Sequence, residues 1–88
     1  MNLKELIVKF FDYAEREKIE IYNEFSFQHE LGIFLRKELV DYKIQFERNV
    51  SYFSISEKTI KKEIDISIFK PNMSEKYAIE LKHPLKQK

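Results

Sequence analysis

An α+β fold, with two N-terminal helices packed on a three-stranded antiparallel meander, is what this sequence predicts. Apolar residues recur at helical spacing up to about Val40, and from Tyr42 onward the period becomes two. The connections between the later runs are short and polar, which joins neighbouring strands as antiparallel hairpins. Eighty-eight residues, 43% of them hydrophobic and including eight Phe and five Tyr, make one domain with a small core, or a piece of a longer domain.

Residues 2–18 read as the first helix. Asn2 caps it, Glu5 follows three residues later, and Leu3, Leu6, Ile7, Phe10 and Ala14 form the apolar stripe. A break at 21–25 leads to Ser26, the expected cap of a second helix running to about Val40. Its stripe is Phe27, Leu31, Phe34, Leu35 and Leu39. Glu30 is the odd member, because its helical neighbours are Phe27, Ile33 and Phe34. In the first strand Tyr42, Ile44 and Phe46 alternate with Lys43, Gln45 and Glu47, and the extended run continues through Val50, Tyr52 and Phe53. After a polar turn at 54–59, the second strand covers about 60–69. It places Ile64, Ile66 and Ile68 on one face and Glu63, Asp65 and Ser67 on the other. The turn at 70–75 contains Pro71, and the third strand, 77–82, presents Tyr77, Ile79 and Leu81 opposite to Ala78, Glu80 and Lys82.

Several function classes drop out. The absence of cysteine removes disulfides, thiolate metal sites and cysteine nucleophiles. No apolar stretch approaches a membrane span, so the expectation is a soluble cytoplasmic protein without a membrane partner. Net charge is only +1, but it is unevenly placed. Residues 1–56 carry eight basic and ten acidic side chains, whereas residues 57–88 carry eight lysines and five acids. The positive half is the half that a phosphate backbone would meet.

That half also holds the chemically distinctive residues. A charged group within an apolar strand is costly unless it is paired or binds a metal. Asp65 lies in the run 64–69, and Glu80 and Lys82 stand two apart in the next run, on one face of it. Asp65 joins them only if it opposes Glu80 or Lys82 rather than Leu81, since a one-residue slip reverses its face. In that register Asp65, Glu80 and the backbone carbonyl of Leu81 supply hard oxygen ligands for Mg²⁺ or Mn²⁺. Lys82 can orient a water and offset charge growing on a phosphate, and Glu30 can extend the ligand set.

The pattern Phe27-Gln28-His29-Glu30-Leu31, then Glu63-Ile64-Asp65-Ile66-Ser67-Ile68, then Ala78-Ile79-Glu80-Leu81-Lys82 resembles the PD-(D/E)xK nuclease superfamily. The resemblance implies a restriction-endonuclease-like α/β core and Mg²⁺-dependent phosphodiester hydrolysis of DNA. It also implies Asp65 and Glu80 as metal ligands, Lys82 as the catalytic lysine and Glu30 as the helical acid. Ile64 stands where the family often has proline. The family core continues with a further helix and strand that this sequence does not contain, so the likeness is to a truncated core. The uncovered edge of the third strand then predicts a homo-oligomer that completes the sheet. Lys61, Lys62 and Lys86 are the lysines expected to contact DNA. The alternative is a non-catalytic α+β DNA-binding or assembly module in which the same Asp, Glu and Lys form a structural ion cluster.

Overall fold

The computed structural model describes residues 1–53 and 63–81. It contains α1 (Leu3–Arg16), α2 (Glu24–Glu38), β1 (Lys43–Asn49), a 3₁₀ turn (Val50–Phe53), β2 (Glu63–Phe69) and β3 (Lys76–Ile79). The strands form one antiparallel sheet in the order β1-β2-β3, as the α+β reading expects. Among the described residues no helix is long and apolar enough to cross a membrane.

The helix ends follow from local chemistry. Asn2 caps α1, its Oδ1 accepting the Glu5 N–H at 3.1 Å. After Arg16 the chain leaves the helix through Lys18 in the left-handed region (φ 56°), and the Ile19 N–H reaches back to the Ala14 carbonyl at 2.9 Å. The start of α2 differs from the sequence expectation. Asn23, not Ser26, is the cap: Asn23 Oδ1 accepts the Ser26 N–H at 2.7 Å, while Ser26 Oγ accepts the Asn23 N–H at 3.1 Å. Both residues favour caps, and the reciprocal box uses both, so the helix begins two residues before Ser26. Glu24 and Phe25 are thereby drawn into its first turn.

The main core lies between the helices and one face of the sheet. Phe10 and Ala14 of α1 and Leu31, Phe34 and Leu35 of α2 pack with Ile44, Ile66, Ile68 and Leu81. Gly32 permits the close approach of α2 to β1: a Cβ built there would collide with Phe46 Cζ. A second cluster of Phe53, Ile64 and Phe69 covers the opposite face, so β2 is buried on both sides. This corrects two expectations. Val50–Phe53 is not an extension of β1. Asn49 Oδ1 accepts the Ser51 N–H at 2.9 Å and turns the chain, so that Phe53 packs edge-on against Phe69. Ile64 does not share the face of Ile66 and Ile68 but joins Phe53 and Phe69.

The cause of the second departure lies between β1 and β2. Their pairing runs from Lys43 opposite Phe69 to Phe46 opposite Ile66, and resumes with Arg48 opposite Ile64. Glu47, which would oppose Asp65, takes a left-handed conformation (φ 56°) and the ladder lapses there. The pleat is thus disturbed at Asp65, the buried acid of β2.

The β2–β3 hairpin is fastened to the beginning of β1. Tyr42 and Tyr77 hydroxyls donate to Glu75 Oε1 at 2.7 and 3.0 Å, and Lys70 Nζ lies 3.7 Å from Glu75 Oε2. β3 ends at Ile79, short of the expected Lys82, and the next buried amide, Leu81 N–H, bonds to a side chain instead of continuing the ladder.

Candidate active site

Asp65 is the acceptor for that amide. Its Oδ2 takes the Leu81 N–H at 2.8 Å, and the residue is 7% exposed. The bond fastens the segment after β3 to the lapse in the middle of the sheet. Gln28, from α2, fills the lapse from the helix side. Its Nε2 donates to the Asp65 carbonyl at 2.7 Å and to Glu47 Oε2 at 2.9 Å, which uses both hydrogens of the amide. A side chain thus takes the place of the missing rung.

Around these contacts lies a cleft of about 190 Å³ lined by Glu24, Phe25, Gln28, Glu47, Asp65 and Leu81. Each acid arrives from a different element. Glu24 comes from the first turn of α2, because the Asn23–Ser26 box starts the helix there; Glu24 and Gln28, four residues apart, lie on one side of it. Glu47 comes from the distorted residue of β1, and Asp65 from the central strand. Three carboxylates, an amide and one exposed aromatic ring therefore border a partly open polar space.

The residues expected from the sequence are distributed as follows. Asp65 is in the cleft. The β2–β3 pairing ends with Ile66 opposite Ile79 and does not extend to Asp65 and Glu80. The carboxylate of Asp65 is bonded to the Leu81 amide, and Glu80 is exposed and lines a neighbouring recess with Ile7, Phe27 and Leu31. Leu81 borders both spaces. Glu30 is half-buried on α2 but does not line the Asp65 cleft. Six residues beyond Glu24, it points roughly 120° away around the helix axis. Lys82, Lys61, Lys62 and Lys86 lie outside the described residues. Among the described residues, no three His, Cys, Asp or Glu side chains are close enough to enclose a metal ion.

Glu24, Gln28 and Glu47 were not picked out by the sequence reading. The capping pair Asn23-x-x-Ser26 was the available signal for the first two, since it sets the start of α2 and hence which turn faces the sheet. Nothing in the alternation of β1 distinguishes Glu47 from an ordinary solvated position. No protein-family model matches the chain, and no curated protein or solved structure matches it either.

Proposed function

We infer that the protein is a Mg²⁺-dependent phosphodiester hydrolase of the PD-(D/E)xK type that acts on DNA in the cytoplasm. One observation carries this reading: a buried acid on the central strand, Asp65, opens into a cleft shared with Glu24 and Glu47 and holds the amide of Leu81. Leu81 is the residue between Glu80 and Lys82, and its bond to Asp65 supports reading these residues together.

The donor set suits Mg²⁺ in the manner that ion prefers, one or two carboxylates and a carbonyl with water and substrate phosphate completing the shell, rather than an all-protein cage. Asp65 and the Leu81 carbonyl would hold the ion, with Glu24 as the second acid. Glu80 and Glu30, which line other surfaces, have no place in this set. The bound cation would lower the pKa of a coordinated water and neutralise charge on the phosphate. The protein's own part is positional. Gln28 holds the Asp65 backbone, and the Leu81 amide fixes the rotamer of its carboxylate. Lys82, next in the chain, orients the attacking water and offsets developing negative charge.

The test is cleavage of labelled DNA with Mg²⁺ or Mn²⁺. Activity that falls about 100-fold or more in Lys82→Ala and in Asp65→Ala is the expected result. Equal rates in wild type and both variants reject the assignment. A second reading, a non-catalytic module, draws on the fact that Asp65 Oδ2 already serves as a structural acceptor and that no three-acid group is assembled among the described residues. Salt-dependent DNA binding without products would identify it.

A further inference from the structure

β3 is an edge strand. Among the described residues nothing pairs with its outer side, which leaves a row of backbone donors and acceptors directed away from β2. Beside that edge lies an open recess of about 420 Å³, walled on the helix side by Ile7, Phe27 and Leu31 and along the strand by the residues from Ala78 to Leu81. Phe11, about half exposed at 48%, touches the Phe27 ring and extends this apolar wall. Lys76, Ala78 and Glu80 alternate with Tyr77 and Ile79 along the strand and are all exposed, Ala78 and Glu80 also bordering the recess.

The order Lys76-Tyr77-Ala78-Ile79-Glu80 has a property that specifies an occupant. When the strand is laid antiparallel against itself, opposed residues must share a face, so the two-fold axis has to pass through a residue and not between two. Centred on Ala78, the pairing sets Lys76 of each copy opposite Glu80 of the other and Tyr77 opposite Ile79. Two opposite-charge pairs then flank the axis on one face, apolar pairs occupy the other, and the smallest side chain of the strand lies on the axis. Centred on Tyr77, Lys76 would face Ala78, and no Lys76–Glu80 pair would form across the axis.

We propose that two copies of this chain associate through antiparallel β3–β3 pairing centred on Ala78, giving a continuous six-stranded sheet. A two-fold axis normal to the sheet keeps both helix layers on the same side, so the recesses beside the two edges face each other and close together. The interface is isologous and covers the β3 edge of both copies.

The chain has no native cysteine, so single cysteines report this register directly. Opposed residues of an antiparallel pair have Cα atoms roughly 4.5–5.5 Å apart, inside the range of about 4.4–6.8 Å for a disulfide. Ala78→Cys is therefore expected to cross-link to a dimer on mild oxidation. In Lys76→Cys the two sulfur-bearing positions are offset by four residues, roughly 14 Å along the strand, and cross-linking should be lost. Light scattering should give twice the chain mass of 10.8 kDa for the wild type. Lys76→Glu should shift it to monomer, and the exchange Lys76→Glu with Glu80→Lys should restore the dimer. These positions are exposed, which leaves the core intact in each variant. A monomeric wild type overturns the proposal. So does cross-linking of Lys76→Cys as readily as Ala78→Cys, or a dimer unaffected by Lys76→Glu. None of these readouts involves metal or DNA, so the hydrolase reading stands or falls separately.

Discussion

Asp65 has one job in the fold, and the proposed hydrolase would give it a second. Removing its carboxylate as Asp65→Ala leaves the Leu81 amide without its acceptor beside the core, at a cost of about 1–3 kcal/mol. Asp65→Asn retains an acceptor oxygen, so its loss should stay under about 1 kcal/mol, yet it removes the charge on which the proposed cation binding would depend. Urea denaturation of the two variants checks the first job, and divalent-ion calorimetry the second; equal destabilisation by both would show that the amide bond carries no weight. Gly32 is a second residue whose neighbour decides its effect. Alanine there gains about 1 kcal/mol of helix propensity, but the new Cβ strikes Phe46, a ring also met by Arg36 at 5.2 Å. Crowding of this kind costs about 1–3 kcal/mol. Gly32→Ala should therefore destabilise the protein in chemical denaturation, and stabilise it in a Phe46→Ala background. At this scale Asp65 was legible because a charge in an apolar strand needs a partner. Gln28 was not, since an amide on a helix face signals nothing until the lapse it fills is known.

The helices and strands were legible wherever periodicity spoke without competition. Both helical stripes and the alternation of 42–46 lead to elements that form. The errors fall where side chains bond to backbone and outbid the pattern. The Asn23–Ser26 box moved the start of α2, the Asn49 side chain turned 50–53 out of the strand, and Asp65 ended β3 early. The hairpin carries its own electrostatic signature. The bond from Tyr42, then that from Tyr77, holds the Glu75 carboxyl below the ordinary carboxylate range. The same bond to Glu75 pushes the Tyr42 hydroxyl up to about 12, and Tyr77 is raised chiefly by its own bond to Glu75. A lowered carboxyl stabilises the fold above its unfolded pKa and loses that contribution as the pH falls through the acid range. A raised phenol stabilises the fold below its ordinary value of 10 and loses it as the pH climbs toward 12. The wild-type advantage over Glu75→Gln should therefore be greatest near neutrality and shrink in both directions. Urea midpoints measured across pH test this, and a difference that is flat through both windows contradicts it.

As a whole, the molecule is a three-stranded sheet whose central strand is buried by helices on one face and by Phe53 and its neighbours on the other. The change of face at Asp65, where Ile64 joins one cluster and Ile66 the other, is what turns an acid out of the pleat and toward the first turn of α2. Composition and alternation could predict the layers but not this change of face, because it depends on Glu47 adopting a left-handed conformation across the ladder. The proposed hydrolase requires this defect to form a cation site. Titration of ¹⁵N-labelled protein with Mn²⁺ tests it most directly, since a bound paramagnetic ion broadens nearby amide signals. Broadening confined first to Glu24, Gln28, Asp65 and Leu81, and abolished in Asp65→Asn, is the predicted result. Broadening that is absent, spread evenly over the surface, or unchanged by that substitution would contradict it.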